Sequence, residues 1–197
     1  MAHAEKEIRR RGAVPERLEE DSEHGRALRR EIGALTYEIN VQQYAAAGLN
    51  FGCYYAASPI IAYDTTDFPP YTMSTFTPST TPGCRLPHVV LPDGRSLYDL
   101  LGPGYTLLRT EPGIEAASFL SLARRARVPV DLLDLPAPAH PVYDRNLLLV
   151  RPDQTVAWRG DAMAPDLAAR LLSLVTGTAS TPLAAAGIAD RAAPPGA

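Results

Sequence analysis

The placement of proline constrains the fold of this chain more than any other feature of its sequence. The 197 residues include 19 prolines, and these cluster between Pro59 and Pro92. Proline fixes φ and lacks a backbone N–H, so neither a long helix nor an interior strand continues through such a stretch. Regular structure is therefore predicted before and after the cluster, with an irregular segment between.

This division predicts four segments. Residues 1–48 form a charged arm and a long helix, residues 49–84 an extended connector, and residues 85–178 a compact domain. Residues 179–197 are rich in alanine, proline and glycine. That composition is typical of chain without a packed core, so the last segment is predicted to be a disordered tail.

The first segment contains the pattern of an amphipathic helix. Its apolar residues recur every three or four positions and define one stripe along the helix. The residues of the stripe are Leu28, Ile32, Leu35 and Ile39. Asp21 or Ser22 is the predicted N-cap, and Gly48 is the predicted residue just beyond the C-terminal end. A long helix with one apolar stripe needs a neighbour to pack against, and none is evident in this sequence.

The connector is predicted to be extended over residues 49–63 and then to run irregularly between its prolines. Three aromatic residues, Phe68, Tyr71 and Phe76, lie in the irregular part. Disordered linkers are usually poor in aromatic residues. The connector is therefore expected to wrap around another surface.

The compact domain shows a β-α-β-β-β-α order. A short strand at 88–91 and a helical turn at 97–101 come first. The core then has strands at 105–109, 130–135, 147–150 and 155–159, a helix at 114–127, and a last helix around Leu167, Leu171 and Leu174. Pro165 and Gly177 mark the ends of that last helix. A helix connection joins parallel strands, and the Pro-Asp turn makes the last two strands a hairpin. The fold class is α/β, and the order is that of the thioredoxin fold.

Composition excludes several classes of function. The formal charge of −3 and the pI of about 5.8 give no basic surface for nucleic acid. No apolar run approaches the length of a membrane span, and the start has no apolar leader, so a cytoplasmic location is expected. Cys53 and Cys84 have no metal-ligand spacing and are expected to be reduced thiols.

No set of residues predicts catalysis, cofactor binding or metal binding. A thioredoxin-type enzyme needs a cysteine where the first core helix begins, and residues 110–114 contain none. Gly102-Pro-Gly104 precedes a strand and does not open a helix, unlike a dinucleotide-binding loop. No serine-nucleophile elbow occurs. The scattered histidines are interpreted as turn or surface hydrogen-bonders: His3, His24, His88 and His140.

Four segments of the chain resemble segments of the C-terminal part of FAD-dependent aromatic and polyketide hydroxylases of the single-component type. They occur in the same order along the chain as in that family. Leu147–Arg159 is similar to the family's LVLVRPDQHVAWR segment, with Thr155 in place of histidine. The segment Glu23–Arg29 also resembles the helix that closes the FAD domain in that family. The other three similar segments are Gly48–Ile61, Thr80–Gly94 and Ser96–Arg109.

The resemblance implies a thioredoxin-like domain without redox cysteines. In the full-length family the cofactors are FAD and NAD(P)H, and the flavin fingerprint and substrate pocket lie upstream of the segments found here. No cofactor is therefore expected in this chain alone. The segment Gly160–Met163 looks like the family's GDA flavin motif, but it lacks the following histidine and is interpreted as a turn with Asp161 near a helix N-cap.

Three functional hypotheses follow. The leading one is a non-catalytic C-terminal module for stability, dimerisation or partner binding, with an FAD-binding chain or a second copy as partner. A second is a stand-alone enzyme or an aromatic-ligand-binding protein on the same scaffold, and a third is FAD bound at the former interface. The pocket of the second hypothesis would be lined by Tyr54, Tyr55, Tyr71, Phe76 and Trp158.

Overall fold

The computed structural model describes residues 16–135 and 141–179. The start of the predicted arm, nearly all of the predicted tail, His3 and His140 lie outside these ranges. The described helices are α1 (Glu23–Tyr44), α2 (Ala47–Phe51), α3 (Ala117–Arg125) and α4 (Pro165–Val175), with short 3-10 helices at Glu16–Glu19 and Leu97–Leu100. The strands are β1 (Tyr105–Arg109), β2 (Val130–Asp134), β3 (Leu147–Val150) and β4 (Val156–Gly160).

The four strands form one sheet in the order β2-β1-β3-β4. β1 and β2 are parallel, whereas β3 is antiparallel to both β1 and β4. The helix α3 connects the parallel pair, and a tight turn connects β3 to β4, as the sequence pattern requires. The predicted α/β class and the order β-α-β-β-β-α are confirmed. The likeness to thioredoxin itself stays a prediction from that order.

Both faces of the sheet are buried over β1, β3 and β4, whereas the edge strand β2 is largely exposed. Leu107 and Leu149 point to a cluster under α3 and α4 that contains Phe119, Trp158 and Leu171. Their chain neighbours Leu108 and Leu148 point to a second cluster on the opposite face, because successive strand residues alternate between faces. The second cluster also contains Leu86, Leu97 and Val156. Burial of both faces explains why the strands read as continuous apolar runs.

The helix α3 is shorter than predicted at both ends. It begins at Ala117, not at Ile114. Ala116, just before it, has a non-helical φ of −135°, and the Glu115 side chain accepts a hydrogen bond from the Ser118 N–H at 2.9 Å. It ends at Arg125, not at Arg127, because Arg127 has a φ of 58°, in the left-handed region. The Glu115–Ser118 hydrogen bond and the backbone angles at Ala116 and Arg127 therefore set the two ends.

Three further local predictions were wrong. Residues 88–91 form no strand, since the segment has one isolated bridge, Val90 to Ser96, within a tight loop. Gly48 does not follow the long helix, which ends at Tyr44. It lies inside α2, so the start of the predicted extended segment is helical. A Cβ on Gly48 would lie 1.7 Å from the carbonyl oxygen of Thr72, which explains why glycine is required there.

The long helix begins as predicted. Ser22 is its N-cap, and the Ser22 hydroxyl accepts a hydrogen bond from the Gly25 N–H at 3.0 Å. Leu28, Ile32 and Leu35 are half-buried, and the side chain of Ile39 is outside those described. Among the described elements, α1 has its one extensive contact with the 3-10 helix just before it. Within the described part of the chain, α1 therefore makes no extensive contact with a helix or strand of the sheet domain.

The connector covers the outer edge of β4. The Ala62 N–H donates to the Ala157 carbonyl at 2.8 Å, and the Gly83 N–H donates to the Val156 carbonyl at 2.8 Å. The Val156 N–H in turn donates to the Cys84 carbonyl at 3.0 Å. Residues from the middle and the C-terminal end of the connector thus hydrogen-bond to the last strand, so the surface that the connector wraps is the edge of the chain's own sheet.

Candidate functional site

A buried arginine joins the connector to the sheet domain. The side chain of Arg159, at the end of β4, is 3% exposed. Its Nε lies 2.7 Å from Asp64 Oδ2, and its Nη1 lies 3.0 Å from Asp144 Oδ1. The hydroxyls of Thr80 and Thr66 accept from the same guanidinium, each at 2.8 Å. Two carboxylates therefore neutralise a cation that burial alone would strongly disfavour.

The environment of Asp64 fixes its ionised form. Partial burial raises its pKa, but hydrogen bonds from Arg159 and Thr66, together with the charge of Arg159, outweigh burial and leave the pKa below its usual value. Asp64 is therefore a carboxylate at neutral pH. The network joins three separate parts of the chain: the connector, the loop before β3, and β4.

A cleft of about 260 Å³ lies between the connector and the β3–β4 turn. Aromatic side chains form one part of its wall, and polar and charged side chains form the rest. Its lining residues are Asn50, Phe51, Cys53, Tyr54, Tyr55, Arg85, Asp153 and Thr155. Tyr54 stacks on Phe68 with a centroid distance of 4.2 Å and an interplanar angle of 7°, and this contact restrains the Tyr54 side chain.

The five aromatic residues predicted to line a pocket do not converge. Tyr54 and Tyr55 line the cleft, whereas Trp158 is a core residue with 8% exposure. Phe76 packs edge-on against Phe51 at 6.1 Å, and Tyr71 is exposed. The large aromatic pocket of the second hypothesis is therefore not formed by these five residues.

The sequence analysis did not predict a role for Arg85 or Arg159. Both lie inside segments that resemble the family.

The two cysteines are free, as expected. Cys53 is exposed on the cleft wall, and Cys84 is buried. Desolvation raises the pKa of Cys84 to about 11, so its thiol stays protonated at neutral pH.

We expect a thiol-specific disulfide reagent to modify Cys53 and leave Cys84 unmodified in the native protein, with both reacting in denaturant. Titration with Ellman's reagent measures this, and rapid modification of Cys53→Ser in the native state would contradict it.

The remaining residues of interest serve local structure. His88 Nε2 lies 2.9 Å from the Ser96 hydroxyl, in agreement with its interpretation as a turn hydrogen-bonder, and His24 is exposed. Asp161 is not a helix cap: α4 is preceded by Ala164, which makes no side-chain cap bond. The Asp161 carboxylate accepts instead from Arg145 at 2.8 Å and from the Asn146 N–H at 3.3 Å.

The two helices of the sheet domain and the cleft do not offer the site that FAD needs. A flavin dinucleotide needs a glycine-rich turn that presents free N–H groups at a helix N-terminus. At α3 the Glu115 carboxylate already accepts the Ser118 N–H and would repel a phosphate. At α4 the first residue is Pro165, which has no N–H to offer. The cleft is smaller than the sites that hold even drug-sized ligands.

The chain belongs to the aromatic-ring hydroxylase C-terminal family, whose model matches residues 79–182. It is 35% identical over 109 residues to the FAD-dependent monooxygenase apdD of Emericella nidulans, covering 52% of this chain and 18% of that protein. It is 37% identical over 137 residues to aklavinone 12-hydroxylase RdmE of Streptomyces purpurascens, covering 61% of this chain and 25% of that protein.

Solved structures extend the likeness to most of the chain. The rebeccamycin biosynthetic enzyme RebC, solved with reduced flavin, matches with a TM-score of 0.66 and 30% identity over 85% of this chain and 31% of RebC. The flavin-dependent monooxygenase PieE, in complex with FAD and substrate, matches with a TM-score of 0.62 and 28% identity over 82% of this chain and 31% of PieE. The chain thus spans about a quarter or less of these curated relatives and about a third of the solved ones, and it corresponds to the C-terminal part of FAD-dependent aromatic monooxygenases.

Two further findings concern partners. Within residues 16–135 and 141–179, no group of three or more histidine, cysteine, aspartate or glutamate side chains is placed to hold a metal ion. None of the helices in the same ranges combines the length and apolarity needed to cross a bilayer.

Proposed function

We propose that this chain is the non-catalytic C-terminal module of an FAD-dependent aromatic-ring monooxygenase. The module docks on a flavin-binding unit, carried on the same or another polypeptide, that supplies the FAD and NAD(P)H sites and the substrate pocket. Its contribution is to stabilise that unit through a docked helix and connector. The observation that carries the proposal is the apolar stripe of α1, a helix that makes no extensive contact with the helices or strands of the described sheet domain.

The helix α1 is poorly stabilised unless its apolar stripe is buried against a partner. With 22 residues, α1 is about 33 Å long. Most helical stability in proteins comes from burying an amphipathic face, and α1 has no helix or strand of the described sheet domain to bury it. The match to RebC covers 85% of this chain, so it extends well beyond the sheet domain alone. In this proposal, the flavin-binding unit buries the apolar stripe of α1.

Exposed apolar side chains also concentrate in α1 and the connector, outside the Leu28 stripe. Of the nine large hydrophobic residues exposed in the described part of the chain, seven lie between positions 37 and 73. These are Tyr37, Tyr44, Leu49, Phe51, Tyr55, Tyr71 and Met73. Tyr37 and Tyr44 are seven residues apart and so share one side of α1, roughly opposite the Leu28 stripe. Apolar exposure concentrated in one segment is typical of an interaction surface.

Charge added to the stripe is expected to abolish docking without unfolding the sheet domain. The variant is Leu28→Asp/Leu35→Asp, and the matched control is Ala27→Asp/Ala34→Asp, which adds the same charges at the same spacing on exposed positions. The partner is the flavin-bearing part of RebC with the third that matches this chain removed. Comigration of this chain with flavin absorbance in gel filtration is the readout, and RebC's own matching segment is the positive control.

We expect the stripe variant to weaken association by about a hundredfold or more, since two buried leucines contribute roughly 3 kcal/mol or more. The control variant should change it by only a few-fold, and both variants should keep the melting temperature of the sheet domain. Failure of the unaltered chain to bind, while the RebC segment binds, would contradict the proposal. Equal losses in the two variants would count against the stripe as the contact.

A further inference from the structure

The cleft contains a cation that no described carboxylate neutralises. Arg109, Arg151 and Arg159 are each paired with an aspartate. The half-buried Arg85 has a neutral partner instead, since its Nη2 donates to Gln154 Oε1 at 2.5 Å and its Nε donates to the Tyr98 hydroxyl at 3.4 Å. A guanidinium has about five N–H donors, so roughly three have no partner among the described residues.

Aromatic rings hold the Arg85 side chain in place. Its Cζ lies 5.4 Å from the centre of the Phe51 ring and 5.5 Å from that of Tyr98. Contact with two rings restricts the position of the guanidinium, and its remaining N–H groups lie on its edge, where they can donate hydrogen bonds. Arg85 is therefore preorganised to bind a planar anion through its edge, as arginine does in a paired contact with a carboxylate.

The second charged residue of the cleft lining, Asp153, is not expected to repel a bound anion. Asp153 lies in the cleft wall, but its carboxylate accepts from Arg151 Nη2 at 2.9 Å and from the Thr155 N–H at 3.2 Å. Arg151 itself lies over the Tyr55 ring at 5.3 Å. The Arg151–Asp153 pair is neutral in sum, so the uncompensated charge of the cleft is the single positive charge of Arg85.

We propose that this cleft binds a monocyclic aromatic carboxylate. The carboxylate pairs with Arg85, and the ring of the ligand packs against Phe51, Tyr54 and Tyr55. The volume of about 260 Å³ admits one ring with its carboxylate. Larger polycyclic ligands need a site above roughly 300 Å³.

The test is a titration of the full chain with benzoate, acetate and benzyl alcohol, followed by two-dimensional amide NMR. Benzoate carries both the ring and the anion, and each of the other probes carries one of them. We expect benzoate to bind with a Kd of about 1 mM and each of the others about tenfold more weakly. Equal affinity for benzoate and acetate would overturn the proposal, because it would reduce the site to a surface charge.

Variants locate the contact. Arg85→Met is expected to raise the Kd for benzoate about tenfold or more, and Arg85→Lys to raise it less, because lysine keeps the charge but not the planar edge. Arg95→Met is the control, since Arg95 is 61% exposed and paired with Asp93 outside the cleft. Unchanged benzoate binding in Arg85→Met would overturn the proposal.

A gain of charge gives a test that does not depend on the folding of Arg85→Met. Gln154→Glu places a carboxylate beside Arg85 Nη2, where it acts as an internal competitor. We expect this variant to keep or raise the melting temperature and to weaken benzoate binding about tenfold or more. Benzoate binding at the unaltered affinity in Gln154→Glu would show that Arg85 is not the anion-binding group.

Discussion

Replacing Arg159 with alanine is expected to lower the free energy of unfolding by about 3 kcal/mol, the low end of the range for removing one partner from a buried ion pair. The low end applies because Asp64 and Asp144 are 30% and 53% exposed and regain some hydration. Urea unfolding measures the loss. The fluorescence of Trp158, the single tryptophan and the chain neighbour of Arg159, reports on the same region.

Arg170→Ala is the control for this change. Arg170 pairs with Asp166 one helical turn away at 3.2 Å, and both side chains are largely exposed. Removing such a surface pair costs about 0.5 kcal/mol or less. Arg159→Lys should fall between the two, since it keeps the charge but not the contacts to both carboxylates. A loss in Arg159→Ala no larger than that in Arg170→Ala would contradict the assigned role.

The same network sets a pH dependence. Because the pKa of Asp64 is lowered in the folded protein, its contribution to stability is fully present above the unfolded pKa of about 3.9. The contribution is lost as the pH falls through the lower folded value. In Arg159→Ala this part of the acid destabilisation should be absent, so the two stability curves should converge at low pH.

Replacing Gly83 with alanine is expected to cost about 3 kcal/mol, through backbone strain and a collision together. Gly83 has a φ of 99°, and a Cβ there would lie 2.3 Å from the Tyr55 carbonyl oxygen. The rings of Tyr63 and Phe68, at 3.1 and 3.3 Å, close the remaining space. Relief requires the connector to move away from β4. Urea unfolding measures the cost, and amide exchange at Val156 reports the movement.

Two other glycines separate strain from collision. Gly94 has a φ of 84°, but the space that a Cβ would occupy there is open, so Gly94→Ala should cost about 1 kcal/mol from strain alone. Gly113 has neither a positive φ nor a close neighbour, so Gly113→Ala should be neutral or slightly stabilising, by less than about 1 kcal/mol. A different rank order of the three losses would contradict this explanation.

The elements predicted well from sequence are those defined by burial. The predicted strands at 105–109 and 147–150 agree with β1 and β3 because their apolar runs are buried on both faces. The predicted ends of α3 do not agree, because they depend on the Glu115 carboxylate and on the left-handed conformation of Arg127. Arginine carries no sequence signal for that conformation, which glycine usually marks.

The site is harder to predict because its contacts are distant along the chain. Arg159 and Asp64 are 95 residues apart, and Arg85 and Gln154 are 69 apart. No periodic pattern links such positions, although both arginines lie in segments that resemble the family. Aromatic content alone predicts a pocket wrongly, since Trp158 fills the core of the sheet domain. A charged residue at the end of a buried strand is the available signal for Arg159.

The covered edge of β4 has a consequence for how this domain is prepared for experiments. Unpaired strand edges are templates for intermolecular sheet growth. A shortened version that began at Ser79, the first residue matched by the family, would lose Ala62 and with it the bond to Ala157. Part of the hydrogen-bonding edge of β4 would then be unpaired and exposed to solvent. A preparation that does not aggregate therefore has to retain the preceding connector.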